Sequence, residues 1–253
     1  MRLLLDLGNT RLKWALQGAA AEWLAHGALD WQGNVGDKLV DAWMGLCRPE
    51  QVVAASVVDG ARERQVAEIT RHLFKCAPHW LRTPASACGV RNAYAEPQRL
   101  GVDRFLAMVA AHAAHRTPCV LASAGTALAL DALAQDGRHL GGLIAPGVHL
   151  MQQSLLDATA LVRPQRAGDI LELADNTADA VTSGCWQAAA ALIERFHANA
   201  LRRLGGAAVL LLDGGDARQL AALLSMPAQL TENSVLRGLM VWADAHLSSA
   251  PNL

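Results

Sequence analysis

The sequence lacks the features that mark several large classes of protein. Its five cysteines stand at irregular spacings without a Cys-x-x-Cys pair, which argues against a disulfide framework or a zinc knuckle and favours thiols in a reducing compartment. The 22 basic residues are balanced by 23 acidic ones, so the chain lacks the net positive charge that a nucleic-acid-binding protein normally has. The G-x-x-x-x-G-K-[ST] and G-x-G-x-x-G patterns do not occur, which disfavours P-loop and Rossmann chemistry.

Long apolar runs are also missing. Three leucines precede Asp6, too few for the core of a signal peptide. The most apolar stretch, residues 119–134, is broken by Ser123 and Gly125, whereas a spanning helix needs about 20 nearly unbroken apolar residues. The sequence therefore predicts a cytoplasmic protein without a membrane segment. With 52% hydrophobic residues in 253, it can still form a substantial core.

Apolar patterns predict alternating strands and helices. Leu3–Leu5 and the alternation of Leu12, Trp14 and Leu16 indicate two strands joined at a Gly-Asn turn. Further expected elements are a strand at Gln51–Val58, two strands around a Gly-Thr turn within Val120–Asp131, strand-turn-helix patterns at Gly141–Gly147 and Val209–Gly215, and helices at Ala61–Lys75, Arg104–His115, Thr177–Arg203 (with a break or packing point at Gly184), Ala217–Leu224 and Ser234–His246. Prolines between Pro78 and Gly101 indicate an irregular segment.

One pattern occurs twice. A strand, the tripeptide Asp6-x-Gly8 and a second strand recur as a strand, Ser123-x-Gly125 and a strand. Each copy opens a half-chain of mixed strands and helices. This predicts a duplicated α/β fold with halves 1–117 and 118–253 around one cleft, which resembles the actin-like ATPase (ribonuclease H-like) and sugar-kinase layout.

The first turn, Asp6-x-Gly8-Asn9-Thr10 with Lys13 on the outgoing strand, is a candidate polyphosphate site. It offers backbone amides, a hydroxyl and an ammonium at one hairpin tip, with Asp6 at hand for magnesium. The alternative is an ordinary hairpin in which Asn9 takes the left-handed conformation.

Asp103 follows Gly101 and Val102 at the start of a predicted helix. One interpretation makes it the helix N-cap. The other makes it a base that accepts a hydroxyl proton while Arg104 and the helix start hold an anion. An aspartate base suits phosphoryl transfer, where positioning and charge stabilisation supply most of the catalysis.

A third turn, Asp213-Gly214-Gly215-Asp216, lies between an apolar run and a predicted helix. Its two glycines would let a flat ligand approach the backbone closely. The alternative is a tight strand-to-helix turn capped by Asp216.

In this order the motifs resemble those of the type III pantothenate kinases, also called Bvg accessory factor-like proteins. The matching motifs are D-x-G-N-T at Asp6–Thr10, N-x-Y at Asn92–Tyr94, Pro97, G-V-D-R at Gly101–Arg104, G-T-A…D at Gly125–Asp131, G-G-x-I-x-P-G at Gly141–Gly147, N-T at Asn176–Thr177, S-G at Ser183–Gly184 and G-G-D-A at Gly214–Ala217. They extend over nearly the whole chain.

The resemblance implies ATP-dependent phosphorylation of pantothenate, the first step of coenzyme A synthesis, by a homodimer with its substrate pocket at the interface. It assigns the ATP phosphates and magnesium to Asp6, Leu7, Gly8, Asn9, Thr10, Arg11, Leu12 and Lys13, with Thr126 also on the phosphates. It assigns the base to Asp103, and the pantothenate pocket to Tyr94, Gly101, Val102, Asp103, Arg104 and the dimer mate's Thr177.

The chain departs from the family at Ser123. Many members have an aspartate there that coordinates a potassium or ammonium ion, and a neutral hydroxyl is a weaker ligand for a hard cation. We therefore expect that the enzyme does not depend on a bound monovalent cation, which initial rates in sodium-only and potassium buffers would test. Phe105 and Asp213 also differ from residues often seen at their positions, without an expected loss of chemistry.

Two rival functions remain open at this stage. One is a regulatory accessory protein of the same fold, which the lack of a DNA-binding motif disfavours and a gel shift would test. The other is a kinase for a different small hydroxy acid. Arg104 beside Asp103 favours an acceptor with a carboxylate, which pantothenate has.

Overall fold

A computed structural model describes residues 1–19, 22–164 and 166–247. The strands are β1 (Arg2–Leu7), β2 (Arg11–Gln17), β3 (Trp23–Asp30), β4 (Gln51–Ser56), β5 (Pro78–Leu81), β6 (Ser86–Ala87), β7 (Val90–Arg91), β8 (Cys119–Ala124), β9 (Ala127–Leu133), β10 (His139–Pro146), β11 (Val209–Asp213) and β12 (Gln229–Leu230). The helices are α1 (Val35–Trp43), α2 (Gly60–Phe74), α3 (Val102–His115), α4 (Val148–Ala158), α5 (Thr177–Arg203), α6 (Ala217–Leu223) and α7 (Ser234–Leu247).

The first compact unit consists of residues 1–116 together with α7. Its main sheet has the order β3-β2-β1-β4-β5, in which β1, β4 and β5 are parallel and β2 and β3 are antiparallel. Alternation along β1 sends Leu3, Leu5 and Leu7 to a core with α1 and α2, and sends Leu4 to a second core with α3 and α7. Both faces of this sheet are therefore covered by helices.

The second compact unit, residues 117–233, repeats this plan. Its sheet has the order β10-β9-β8-β11-β12, with β8, β11 and β12 parallel and β9 and β10 antiparallel. Val120, Ala122 and Ala124 of β8 face a core that includes Ile193 of α5 and Leu220 of α6. The matched strand orders confirm the predicted duplicated actin-like fold.

The C-terminal helix differs from the predicted division at residue 117/118. That division gave residues 118–253 to the second half, whereas α7 packs on α3 and on the first sheet. Gly238 makes the close packing possible, because a Cβ there would lie 2.1 Å from the carbonyl oxygen of Leu106. Leu239 and Trp242 of α7 join the apolar core beneath.

Other differences concern single elements. The supposed irregular segment contains β5, an edge strand whose first residue is Pro78, a position where a missing N–H is tolerated. Helix α3 begins at Val102, two residues before the predicted start. Helix α5 runs without a break through Gly184. The sequence patterns predicted no element at β3 or α1.

Within the described ranges, no helix combines the length and the apolar character that crossing a membrane requires.

Candidate active site

The tip of the β1–β2 hairpin in the first unit is an exposed polar turn. Gly8 closes it by donating its N–H to the carbonyl of Arg11 at 3.0 Å. The Trp31 indole N–H donates to the Gly8 carbonyl at 2.7 Å and fixes the turn from the other side. Asn9 and Thr10 are exposed at the tip. The alternative of a left-handed Asn9 is wrong, since its φ is not positive.

Asp6 and Lys13 lie directly opposite each other at the base of this turn. They are register partners across the antiparallel pair β1–β2. Asp6 is only 9% exposed, whereas Lys13 is half-buried. Leu7 and Leu12, the other pair near the tip, are fully buried and belong to the core on the opposite face. The predicted polyphosphate turn thus has a polar face carrying Asp6 and Lys13 and an apolar face that anchors it.

The start of α3 places Asp103 in its first turn. Gly101 is the N-cap, and Asp103 is the second helical residue, so the interpretation of Asp103 as the cap is wrong. One Asp103 oxygen accepts the N–H of Arg104 at 2.8 Å. A Cβ at Gly101 would lie 2.4 Å from the same oxygen. Glycine at 101 therefore leaves the room in which the carboxylate folds back over the helix start.

Arg104 and Tyr94 form a contact beside this helix start. Arg104 is 6% exposed, and its Nη1 donates to the Tyr94 hydroxyl at 3.2 Å. The loop that carries Tyr94 is held by Asn92, whose Oδ1 accepts the Tyr94 N–H at 2.9 Å and whose Nδ2 donates to the Pro97 carbonyl at 3.1 Å. The structure therefore brings the predicted N-x-Y and G-V-D-R motifs together.

The hairpin and the helix start share one face of the first sheet. Asp6 lies on the same side of β1 as Leu4, and its register partner on β4 is Ala55. Leu4 and Ala55 belong to the apolar cluster that also contains Val102, the first residue of α3. The polar groups of both motifs thus lie on the side of the sheet that α3 covers.

The second unit has an equivalent hairpin tip between β8 and β9. Gly125 donates its N–H to Ala127 at 3.1 Å, and Thr126 is exposed. The Thr126 carbonyl accepts the N–H of Gly147 at 2.9 Å. A Cβ at Gly147 would lie 2.0 Å from the Gly125 oxygen, so the G-G-x-I-x-P-G motif ends in the glycine that packs on this turn.

Asp213 ends β11 next to Ser123, the second-last residue of β8. The two residues are register partners in the parallel pair. Gly214 then takes φ 109°, and a Cβ there would lie 2.0 Å from the Ala124 carbonyl oxygen. Asp216 occupies the N-cap position of α6, as one interpretation of this turn expected, but its side chain makes no capping hydrogen bond. Its Oδ1 instead lies 3.3 Å from Nε2 of His149. The glycine turn fixes Asp213 against β8.

Thr177 lies on an apolar surface groove of the second unit. It is the exposed first residue of α5. The groove has a volume of about 1000 Å³ and is bounded by α4 and the first half of α5. Met151, Leu155 and Val162 line it together with Gly184.

Asp179 fixes the start of α5 and was missed by the sequence reasoning. It is 4% exposed. Its carboxylate accepts the Asp169 N–H at 2.8 Å, the Asn176 side-chain amide at 2.6 Å and the Arg166 guanidinium at 2.9 Å. These bonds, that from Asp169 first, lower the pKa of Asp179 from 3.8 to about 2. The signal in the sequence is Asn176 three residues before Asp179, a capping pair.

This lowered pKa predicts a pH-dependent stability of the second unit. A carboxyl group whose folded pKa is depressed stabilises the fold above its unfolded pKa of 3.8, and the contribution is lost as the pH falls towards about 2. Asp179→Asn should therefore lower the melting temperature most at about pH 5 to 6, and the gap to the parent protein should narrow as the pH falls below 4. Thermal melts at several pH values measure this difference in melting temperature. A difference that stays constant with pH would contradict the lowered pKa of Asp179.

Comparison with known proteins gives a consistent result. A sequence model of the type III pantothenate kinases matches residues 2–199. A type III pantothenate kinase of Aromatoleum aromaticum is 42% identical over 245 residues, 96% of this chain and 98% of that protein. Those of Laribacter hongkongensis and Stenotrophomonas maltophilia are 41% and 42% identical over 98% and 95% of this chain, and over 98% and 96% of their own lengths.

Solved structures with the same fold are more distant in sequence. A Campylobacter jejuni protein assigned as a Baf family transcriptional activator superposes with a TM-score of 0.62 at 17% identity, covering 98% of this chain and 100% of that one. The activator of 2-hydroxyisocaproyl-CoA dehydratase from Clostridium difficile, solved with ADPNP, gives 0.55 at 11% identity, covering 100% and 98%. At these identities the likeness shows the fold alone.

Proposed function

Because the chain belongs to the type III pantothenate kinase family and phosphorylates pantothenate with ATP, we propose that Asp103 is the base of this reaction. The observation that carries the proposal is the position of Asp103 in the first turn of α3, next to Arg104 and on the sheet face of Asp6. The acceptor's hydroxyl proton would pass to the Asp103 carboxylate as the hydroxyl oxygen bonds to the γ-phosphorus. The bond to the bridging oxygen then breaks and ADP leaves.

The hairpin tip is the proposed phosphate site. Gly8 closes the turn, Asn9 and Thr10 place their backbone and side-chain polar groups at its exposed tip, and Lys13 adds a positive charge on the polar face. Asp6 fits a magnesium ion carried by ATP, because Mg²⁺ keeps several waters and takes one or two carboxylates plus phosphate oxygens. When bound, the metal neutralises the charge of the phosphates. Thr126 on the second unit's tip is proposed to contact the nucleotide as well.

The proposed pantothenate pocket is formed around Tyr94 and Arg104. Arg104 donates to the Tyr94 hydroxyl. A guanidinium has five N–H donors in a fixed fork that matches the geometry of a carboxylate, which suits Arg104 to this role. The helix start adds a partial positive charge at the same place. Gly101 and Val102 complete the turn that carries Asp103. An acceptor with a hydroxyl and a carboxylate fits this set of groups.

A homodimer is proposed to complete the pocket with Thr177 of the second copy. The support is the apolar groove beside Thr177 in the second unit. Large apolar side chains near it are exposed, among them Leu155 and Leu150 of α4. Contiguous exposed apolar surface of this kind usually marks an interaction site.

Mixing two inactive variants tests the shared pocket. Asp103→Asn and Thr177→Arg homodimers should each have very low activity. In an exchanged mixture about half of the dimers are mixed, and each of those has one site with both native residues, so about a quarter of parent activity should return. Activity is measured after subunit exchange, with size-exclusion chromatography and light scattering as the check of dimerisation. Recovery near zero in verified mixed dimers would exclude a pocket that draws Asp103 and Thr177 from different copies.

Phosphorylation of pantothenate by the purified protein tests the function itself. The assay couples ADP release to a spectroscopic signal and identifies the product by mass. Absence of phosphopantothenate with ATP and magnesium present would refute this activity.

We also propose a cytoplasmic location, supported by five free thiols, since a reducing compartment keeps thiols unpaired.

A further inference from the structure

The carbonyl of Gly8 connects the β1–β2 turn to an aromatic side chain on its apolar side. Trp31 directly follows β3 and donates its indole N–H to this oxygen at 2.7 Å. Trp31 is half-buried and packs on the apolar cluster that contains Leu7 and Leu12. That cluster lies on the sheet face opposite the polar groups of the turn. The Gly8 carbonyl is therefore held towards the apolar side.

The peptide unit between Gly8 and Asn9 carries this contact to the polar side of the turn. A trans peptide is planar, and its C=O and N–H point in opposite directions. Because the carbonyl is held on the side of Trp31, the Asn9 N–H is directed to the side where Asp6 and Lys13 lie. Backbone N–H groups in turns bind phosphate oxygens in this way. A carbonyl that accepts a hydrogen bond also polarises its peptide unit, which makes the N–H a stronger donor.

Arg62 lies over the ring of the same tryptophan. Its guanidinium carbon is 5.0 Å from the centre of the Trp31 ring, which is a cation–π contact. Arg62 belongs to the first turn of α2, and its Nε is 3.9 Å from Oδ2 of Asp59, the N-cap of that helix. The start of α2 therefore supports the indole that holds the Gly8 carbonyl.

We propose that Trp31 is a positioning residue for ATP, which acts through the Gly8 carbonyl by directing the Asn9 N–H at a phosphate oxygen. This deepens the proposed kinase function and rests on the phosphate site proposed at this turn. The contact supports the turn and not the reacting atoms, so it contributes equally before and during phosphoryl transfer. Its loss should therefore raise the KM for ATP and leave kcat nearly unchanged.

Trp31→Phe tests the proposal, because phenylalanine keeps an aromatic ring for the apolar cluster and for Arg62 but has no N–H. The Kd of a non-hydrolysable ATP analogue with magnesium, measured by calorimetry, should rise about fivefold, as for the loss of one ordinary hydrogen bond. The KM for ATP should rise with it, whereas kcat and the KM for pantothenate should stay within about twofold of the parent values. A purely structural role would lower the melting temperature and leave the ATP affinity of the folded protein unchanged.

Hydrogen exchange in the parent protein tests the same coupling without a substitution. The Trp31 indole N–H, assigned in NMR spectra by its absence in Trp31→Phe, should exchange more slowly when the ATP analogue is bound, because a ligand on the turn stabilises the closed form. An unchanged exchange rate at saturating analogue would contradict the proposal.

Trp80→Phe is the matched control. Trp80 packs on the same apolar cluster and has the Arg82 guanidinium 5.9 Å from its ring centre, but it lies on β5, two strands away from β1. This variant should bind the ATP analogue as the parent does. Circular dichroism checks the folding of every variant.

Lys13→Ala tests the phosphate turn itself and should also weaken binding of the analogue. If Lys13→Ala weakens it and folded Trp31→Phe does not, the role of Trp31 is overturned and the kinase function stands. If neither variant weakens binding in a protein that phosphorylates pantothenate, the phosphate site at this turn is overturned together with the role of Trp31.

Discussion

Replacement of Asp103 by asparagine should lower kcat for pantothenate phosphorylation by about 10²-fold or more. Asparagine has nearly the shape of aspartate but accepts a proton poorly, so the change removes the base and little else. Because the N-cap of α3 is Gly101 rather than Asp103, the substitution should leave the free energy of unfolding within about 0.5 kcal/mol of the parent value. Loss of activity and loss of stability are thereby separated.

Steady-state kinetics with ATP and pantothenate varied in turn measure this effect. The matched control is Asp37→Asn, because Asp37 is an acidic residue in the first turn of α1 in the same unit. Its kcat should equal that of the parent protein. If Asp103→Asn retains full activity, Asp103 is not the base, and its role is structural, as in the bond that it accepts from the N–H of Arg104.

Removal of either member of the Asp131–His139 pair should lower the free energy of unfolding by about 3 kcal/mol. His139 Nε2 lies 2.8 Å from Asp131 Oδ1, and the two side chains are 0% and 5% exposed. Asp131 is on β9 and His139 opens β10, so the bond joins the two antiparallel strands inside the second unit. A buried polar group that loses such a partner keeps its cost of desolvation without the compensating bond.

Urea unfolding of Asp131→Ala, His139→Ala and the double variant measures the coupling. The double variant should cost clearly less than the sum of the single variants, because the second substitution no longer breaks the pair. Asp136→Ala in the exposed turn of the same hairpin is the control and should cost about 1 kcal/mol or less. Additive single and double effects would show that the two side chains contribute separately.

Much of the fold could be predicted because the repeat appears in the sequence as short local patterns of a strand, a glycine turn and a second strand. The strands around Asp6-x-Gly8 and Ser123-x-Gly125 could be recognised from their apolar residues, and each pair of strands forms part of a sheet with the same strand order. Helix α5 matches its predicted bounds at both ends. Helix α7 was recognised as a helix, but its partner could not be, since nothing in its own residues tells that Gly238 packs on Leu106 of α3.

Some features of the candidate site could likewise be predicted from local motifs, whereas others depend on residues that are distant in the sequence. Asp103, Tyr94 and Arg104 could be proposed as site residues because each lies in a short motif, and the structure adds the bond between the last two. One of the two interpretations placed the cap of α3 at Asp103, because aspartate commonly caps helices, whereas the observed cap, Gly101, has no side chain to reveal its place. The pairing of Ser123 with Asp213 depends on strand register across a long stretch of chain, which no local pattern encodes.

The return of α7 to the first unit has a consequence for how the protein is made. Residues 117–233 are continuous, so this unit can fold on the ribosome as soon as it has emerged. The first unit is synthesised earlier, yet it lacks the helix that covers Leu4 and Leu106 until residues 234–247 leave the exit tunnel. Translation therefore reverses the expected order, and the half synthesised first is the last to be completed.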